Sequence, residues 1–317
     1  MRCTLQDIVR ESGYANATVS RALNGSKQVS ERARMKILET AQRLGYIQEK
    51  KTVAVIVSHL DAYYYSKLFS EISMVLYFSG YSCIVVEAKQ IDSLRGLSIS
   101  GAIAVLDKES FKTVEDWDGN FGVPLVLVNM YSRHIDGSYS IFSNEEQGMS
   151  MIMRHLITLG HRRIAVLGWK TLCDSEKAEK NPRIGSFRKI MRNYGFSDDL
   201  LIPYGGSPEE RMDVLRMLLD RKVTAAVSLM EQNTSKIIFY LTQLGVKVPD
   251  DFSVCGWLME DDAFYLPPVT GVIQNYSHMA KHALILLNKL MHCEPVTHDV
   301  IVDYTFFPRR STARAKH

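Results

Sequence analysis

From residue 52 onward the sequence alternates short apolar runs with longer amphipathic stretches, and this alternation restricts the fold more than any other feature. Unbroken apolar runs are typical of strands that are buried on both faces of a parallel sheet. They fall at residues 53–57, 83–86, 102–106 and 123–128, and a second set of strands is predicted at 164–167, 225–229 and 252–255. Helices are predicted between or after them at residues 64–77, 92–97, 146–159, 183–194, 208–219 and 231–244. Two such sets predict two doubly wound α/β lobes with a cleft at the carboxyl ends of the strands.

The residues before this body predict a small helical module. Between Thr4 and Asn24 two short helices are joined by a tight turn: Thr4 and Asp7 have the spacing of an N-terminal capping pair, and Gly13 supplies a stop. Ser30 caps a third helix. Apolar stripes that can pack together are predicted from the helical spacing of Leu5, Ile8, Val9, Val19, Ala22 and Leu23. This helix-turn-helix geometry lets one helix lie in a DNA groove while the other braces it.

The polar face of the second predicted helix carries side chains suited to DNA. Asn16, Ala17, Ser20 and Arg21 point away from the apolar stripe. Asparagine can pair with the edge of adenine, arginine with guanine, and a small alanine can lie against a thymine methyl group. An ordinary helical hairpin with a polar solvent face is the alternative interpretation.

Charge is distributed unevenly between the two parts of the chain. Ten Lys and Arg residues stand against five Asp and Glu residues through Lys51, which gives this module a net charge of +5. The whole chain carries +3, so the remainder carries −2. A basic module on a nearly neutral body favours binding to phosphates, although basic helical modules also bind acidic proteins.

Composition and motifs exclude several other classes of protein. No apolar run reaches the length of a membrane span, and Met1-Arg2-Cys3 leads directly into the first helix, so we expect a cytoplasmic protein without a membrane contact. The five cysteines are scattered, and no phosphate-binding loop, nucleophile elbow or metal-ligand motif is present. We therefore predict no catalytic residues, no metal and no cofactor, and we interpret His278 and His282 as solvent-facing.

Several short sequence segments resemble those of the lactose-repressor/galactose-repressor (LacI/GalR) family of bacterial transcription regulators. The segments are Thr-Val-Ser-Arg-Ala-Leu-Asn-Gly from Thr18, Val29-Ser30, Leu44-Gly45-Tyr46, Leu-Gly-His-Arg-Arg-Ile-Ala from Leu159, Val-Pro-Asp-Asp-Phe-Ser-Val from Val248, Pro-Pro-Val-Thr from Pro267, and Arg310-Ser311-Thr312. Because these segments are spread from the headpiece to the end of the body, the resemblance covers almost the whole chain. The resemblance implies an α/β protein with an N-terminal three-helix helix-turn-helix headpiece and a bilobed, periplasmic-binding-protein-like, doubly wound α/β core.

In that family, the residues matching Thr18, Ser20 and Asn24 hold phosphates, and those matching Asn16, Ala17 and Arg21 face base edges. Thr4 and Ser30, at the starts of the first and third helices, complete the predicted DNA-binding set. One departure is Ala15, where the family begins its recognition helix with a capping serine. That loss is expected to cost the helix about 1 kcal/mol.

The family comparison also sets the expected domain boundaries. We predict a headpiece at residues 1–48, a short linker at 49–51 and an effector-binding and dimerisation core at 52–317. Lobe one would comprise about 52–160 and 275–300, and lobe two about 161–274 and 301–317, with crossings near Gly160, Gln274 and Val300. The family's hinge helix is missing between Ile47 and Lys51, so we hypothesise that operator DNA is bent less and that coupling runs through headpiece placement.

The resemblance places an effector site between the lobes. Tyr64 and Tyr65 match paired aromatics that cover a sugar, Arg183 matches an arginine that grips hydroxyls or carboxylates, and Asn144 and Gln274 match other polar positions. The sequence departs from the family at Met230-Glu231 and Trp257-Leu258-Met259. Because Leu258 replaces an aspartate that pairs with sugar hydroxyls, the ligand would be less polar, such as an aryl glycoside or nucleoside, stacked on Tyr64, Tyr65 and Trp257. The predicted effector-binding set is Tyr64, Tyr65, Asn144, Arg183, Glu231, Trp257 and Gln274.

These observations predict a sequence-specific DNA-binding transcription regulator, a repressor, that acts as a homodimer on double-stranded operator DNA. A small-molecule effector, a sugar or glycoside, would control it by changing closure of the lobes. Three alternatives stay open. The protein could be a sugar-binding protein for uptake, an enzyme on a doubly wound fold, or a DNA-binding dimer that has a vestigial cleft and is regulated by a protein partner.

Overall fold

A computed structural model describes residues 4–23, 28–44, 51–130, 138–173, 178, 180–296 and 299–316. The headpiece contains three helices, α1 (Leu5–Ser12), α2 (Asn16–Leu23) and α3 (Glu31–Arg43). Apolar side chains from all three helices form one small core, with Ile8, Val19 and Ile37 fully buried. The predicted linker lies outside the described residues except for Lys51.

Local capping bounds the headpiece helices as the sequence predicts. Asp7 accepts hydrogen bonds from the backbone N–H of Thr4 at 2.9 Å and from its hydroxyl at 2.7 Å. Gly13 ends α1 in the left-handed region, with φ of 76°, and its N–H donates to the backbone oxygen of Val9. The hydroxyl of Ser30 accepts from the N–H of Ala33 at 3.4 Å. These interactions fix both ends of α1 and the start of α3.

The described body alternates strands and helices. Its strands are β1 (Thr52–Val57), β2 (Ser82–Glu87), β3 (Gly101–Val105), β4 (Leu125–Val128), β5 (Tyr139–Ser143), β6 (Ile164–Gly168), β7 (Leu201–Pro203), β8 (Ala225–Ser228), β9 (Ser253–Trp257), β10 (Thr270–Ile273), β11 (Val300–Val302) and β12 (Thr305–Phe307). Its α-helices are α4 (Tyr63–Phe78), α5 (Trp117–Phe121), α6 (Glu145–Thr158), α7 (Lys170–Cys173), α8 (Pro182–Asn193), α9 (Pro208–Asp220), α10 (Thr234–Gln243) and α11 (Tyr276–Met291). Shorter 3-10 helices span Ala88–Leu94, Ser110–Val114, Glu231–Asn233 and Glu260–Ala263.

The strands form two sheets, one in each lobe. The first has the order β11-β5-β4-β3-β1-β2 and is parallel throughout. The second has the order β12-β10-β9-β8-β6-β7 and is parallel except for the edge strand β12. Helices α4 and α11 pack on one face of the first sheet, α6 and α8 on one face of the second, and α9 and α10 on its other face. The predicted fold class is confirmed.

The chain passes between the lobes three times, and two of the crossings differ from those predicted. The first lies at Asn144 and not near Gly160, because α6 follows a strand of the first sheet but packs against the second lobe. The second lies at Gln274, as expected. The third lies between β11 and β12 at residues 303–304 and not at Val300, because β11 pairs with β5. Each crossing therefore leaves the carboxyl end of a strand beside the cleft.

Two further structural findings bear on the predicted elements. The helix expected at residues 92–97 is replaced by the 3-10 helix Ala88–Leu94, whose apolar side chains pack on the first sheet. None of the helices in the described ranges is long and apolar enough to span a membrane.

Candidate functional site

The predicted DNA-binding residues of α2 lie on its outer side. Asn16, Ala17 and Arg21 are exposed, whereas Thr18 and Ser20 are half-buried beside the core residues Val19 and Ala22. Exposed polar side chains on the second helix of a helix-turn-helix are placed where they can reach the major groove. The structure thus gathers five of the eight predicted DNA-binding residues on α2.

The other three predicted DNA-binding residues have different settings. Thr4 and Ser30 are exposed, but their hydroxyl groups take part in capping α1 and α3. Asn24 lies outside the described residues. Ala15 precedes α2 and offers only its backbone oxygen, which accepts from Thr18 and Val19, so no side chain of that residue caps the helix.

A cavity of about 520 Å³ lies between the lobes, and both lobes contribute to its lining. Five residues of the predicted effector set line it: Tyr64, Tyr65, Arg183, Glu231 and Gln274. Residues that sequence reasoning did not place there are Leu106, Asp107, Lys108, Asn129, Glu145, Trp169, Asn181 and Pro182. The cavity is within the size range that holds a small molecule.

The aromatic part of the lining comes from the start of α4. The rings of Tyr64 and Tyr65 meet edge to face, with centroids 5.0 Å apart. The hydroxyl of Tyr64 accepts a hydrogen bond from Nδ2 of Asn129 at 2.6 Å, and Oδ1 of Asn129 accepts from the N–H of Ser143. Burial raises the pKa of Tyr65 to about 12, so its hydroxyl stays protonated and can donate.

The polar part is built around Arg183, at the start of α8. Its Nε donates to Oε2 of Glu145 at 2.5 Å and its Nη2 to Oε1 at 3.0 Å, while Nη1 donates to the backbone oxygen of Leu229. Tyr304 donates its hydroxyl proton to Oε1 of Glu145. Burial opposes the charged form of Arg183, but Glu145, Tyr304 and Glu231 together outweigh burial and raise the pKa of Arg183 well above its usual range. The guanidinium therefore stays charged.

Two predicted effector residues do not line the cavity, and both expectations are corrected. Asn144 lies at the first crossing, where it caps α6 by accepting from Gln147 and donates to Asp303 at 2.7 Å. Trp257 is fully buried, because its side chain faces the core of the second lobe. Its ring lies 4.2 Å from the guanidinium carbon of Arg183, so it supports that arginine from behind.

Two acidic pairs at helix starts, Glu145-Glu146 and Asp261-Asp262, each have one exposed and one buried member. Glu146 and Asp261 are exposed, but Glu145 is 6% exposed and Asp262 is fully buried. Glu145 is the most important residue that sequence reasoning missed. No local sequence pattern marks it, because its burial depends on Arg183, which is 38 residues further along the chain. Among the described residues no cluster of His, Cys, Asp and Glu side chains could hold a metal ion.

Comparisons with known proteins agree with this architecture. Residues 4–49 match the family described as bacterial regulatory proteins, lacI family, and residues 153–312 match the periplasmic binding protein-like domain. The chain is 24% identical to the HTH-type transcriptional repressor PurR of Vibrio cholerae serotype O1, covering 95% of this chain and 99% of that protein. It is also 24% identical to the PurR of Glaesserella parasuis serovar 5, covering 98% of each.

Solved structures share the fold over nearly the whole chain. The lac repressor dimer bound to operator and the anti-inducer ONPF has a TM-score of 0.71 at 21% identity, covering 99% of this chain and 100% of that chain. The transcriptional regulator CelR in complex with cellobiose has a TM-score of 0.66 at 23% identity, covering 98% and 100%. A helix-turn-helix head on a two-lobed binding-protein body defines a class of bacterial transcription regulators. The chain belongs to the lacI family of bacterial regulatory proteins.

Proposed function

We propose that the protein is a sequence-specific transcriptional repressor that binds operator DNA through α2. The observation that carries this function is the exposed face of α2, where Asn16, Ala17 and Arg21 stand outside a packed three-helix core. The net charge of +5 on the first 51 residues supplies attraction to phosphates. Phosphate contacts by Thr4, Thr18, Ser20, Asn24 and Ser30 would fix the register of the headpiece on the duplex.

A small molecule in the cavity between the lobes is the proposed signal. Residues from both lobes line the cavity, so a ligand that contacts both walls favours one degree of closure. A sugar or glycoside is the effector class suggested by the relatives, since the CelR structure holds cellobiose and the lac repressor structure holds ONPF. The open volume of about 520 Å³ favours a ligand over a vestigial cleft.

Homodimerisation is supported by an exposed apolar surface on α4. Met74, Tyr77 and Phe78 are 50%, 72% and 79% exposed, and they adjoin Cys83 on the edge strand β2. Apolar patches of this kind mark interaction surfaces. A dimer would place two headpieces on a pseudo-palindromic operator.

We also propose that the protein has no catalytic role and acts in the cytoplasm, where operator DNA is found. Within the cavity Arg183 and Glu145 neutralise each other, an arrangement suited to holding a ligand. Footprinting with the full chain on DNA upstream of its own and adjacent transcription units tests the function. A protected site of roughly palindromic sequence supports it, and the absence of protection on all of these fragments contradicts it.

A further inference from the structure

The guanidinium of Arg183 is already satisfied by the protein itself. Its Nε and Nη2 donate to Glu145, and its Nη1 donates to the backbone oxygen of Leu229 at 2.6 Å. The ring of Trp257 covers one face of the guanidinium. An arginine held in this way has few free N–H donors for an anionic ligand.

Glu231 is a second carboxylate beside Arg183. Its negative charge is only weakly offset by neighbouring groups of the protein. Its side chain is 18% exposed, and Oε1 lies 3.8 Å from Nη2 of Arg183, which already donates to Glu145 and Tyr304. Burial raises the pKa of Glu231, an effect that Arg183 and a backbone N–H only partly offset. A desolvated carboxylate of this kind favours a cationic partner.

Gln274 lines the same cavity and has a buried acceptor without a partner among the described residues. The hydroxyl of Tyr304 gives its proton to Glu145, so it can only accept from Gln274, whose Nε2 donates to it at 3.0 Å. This bond fixes the orientation of the amide. Oε1 of Gln274 is then buried without a hydrogen-bond partner in the described part of the chain, although the residue lines the cavity and is 94% buried. A ligand donor that reaches this oxygen would supply its missing hydrogen bond.

The rest of the lining favours a positive charge as well. Tyr64 and Tyr65 add aromatic rings, which attract cations. The lining side chains include three carboxylates against two cations, and one of the cations, Lys108, is exposed at the rim. Asp107 is paired with His59 at 3.1 Å and is more exposed than Glu231, so Glu231 is the better placed carboxylate for a ligand.

We propose that the ligand of this cavity carries a protonated amino group, held by Glu231 and Oε1 of Gln274 beside the tyrosine rings, an inference that rests on the proposed function. The chemical class is a small amine, such as an amino sugar or an arylalkylamine. Its ammonium group supplies both the donors that Gln274 needs and the charge that Glu231 needs. Neutral sugars supply donors alone, and phosphorylated or carboxylated ligands meet an excess of negative charge.

The test is calorimetric titration of the full chain with matched probes that differ in one substituent. The probes are glucosamine, glucose and N-acetylglucosamine, the corresponding galactose compounds, and benzylamine with benzyl alcohol. We expect at least one amine to bind 10-fold or more tightly than its hydroxyl counterpart. Glu231→Gln should weaken binding of that amine at least 10-fold and change binding of the hydroxyl counterpart less than 3-fold. Glu209→Gln, an equal change on the exposed start of α9, should leave both unchanged.

Several results would overturn the amine assignment. These are a hydroxyl or acetamido probe that binds as tightly as its amine, a panel in which no amine binds, and a Glu231→Gln variant that weakens all probes equally. Binding to operator DNA is measured in the same preparation without any probe. A chain that binds a specific DNA site but ignores the amines keeps the proposed function and loses only the ligand class, whereas a chain that binds no specific site loses the function.

Discussion

The carboxylate of Glu145 and the guanidinium of Arg183 form a two-pronged ion pair across the wall of the cavity, with N–O distances of 2.5 and 3.0 Å. Glu145 is the first residue of α6, immediately after the first crossing between the lobes, and Arg183 is near the start of α8. The pair therefore ties the crossing segment to the second lobe at the edge of the proposed ligand site. Both side chains are buried, which makes each dependent on the other.

Removing one partner of this pair should be strongly destabilising. Glu145→Gln leaves the largely buried guanidinium with only the more distant carboxylate of Glu231, and we expect the free energy of unfolding to fall by about 3 kcal/mol. Glu146→Gln, the neighbouring and exposed carboxylate, is the matched control and should change it by less than about 0.5 kcal/mol. Urea unfolding followed by circular dichroism measures both variants. Equal stability of Glu145→Gln and the wild type would show that the pair contributes nothing net.

Asp262 should make the stability of the second lobe depend on pH. Burial raises its pKa from 3.8 to about 6, and one carboxylate oxygen has no hydrogen-bond partner among the described residues. Since the folded state prefers the protonated form, the favourable contribution is complete below pH 4 and is lost as the pH rises through 6. We expect Asp262→Asn to gain stability relative to the wild type by about 1 kcal/mol between pH 5 and pH 7.5. Unfolding curves across this range that stay parallel for the two proteins would contradict the assignment.

The missing cap of α2 can be restored by one hydroxyl group. Ala15→Ser provides an acceptor for the first N–H groups of α2 and should stabilise the helix by about 1 kcal/mol. Amide hydrogen exchange in α2 of the full chain should slow by about 5-fold. Ala17→Ser makes the same chemical change inside the helix, where serine is the poorer helix former, and should not slow exchange. Exchange that slows in both variants or in neither would argue against a capping effect.

Phe78 offers a test of the proposed dimer surface. Phe78→Asp places a charge within the exposed apolar patch of α4 and should weaken dimerisation by at least 10-fold, because that charge would be buried on association. Tyr194→Asp changes a comparably exposed aromatic residue at the end of α8 and should leave the dimer intact. Sedimentation velocity over a range of concentrations gives the dissociation constants. A Phe78→Asp protein that remains as dimeric as the wild type would locate the interface elsewhere.

Local sequence signals predicted most of the framework. The long apolar strands and the caps of α1 and α3 lie where their own residues indicate, because a buried parallel strand or a capping side chain depends little on distant sequence. Strands β5, β7, β10, β11 and β12 were not predicted. None of them is a long unbroken apolar run, and β7, β11 and β12 have only three residues each, so their apolar pattern is weak and their pairing depends on the neighbouring strand.

The cavity was harder to predict than the sheets. The family resemblance places Tyr64, Tyr65 and Arg183 in the effector site. All three line the cavity in the structure. Trp257 was misplaced because the last residue of a strand can pack into the core of its lobe or project towards the cleft, and the local sequence does not determine which. The burial of Glu145 depends on Arg183, which is 38 residues further along the chain, so no local pattern could reveal it.

Base reading by α2 can be measured by fluorescence-anisotropy titration of a footprinted operator fragment and of a scrambled fragment. Arg21→Ala should lose about 30-fold or more in affinity for the operator, equivalent to about 2 kcal/mol, and bind the two fragments almost equally. Arg192→Ala removes the same charge from the exposed surface of α8 and should bind the operator fragment within about 2-fold of the wild type. Circular dichroism should show that both variants are folded. An Arg21→Ala protein that keeps both the affinity and the preference for the operator would contradict DNA recognition by this helix.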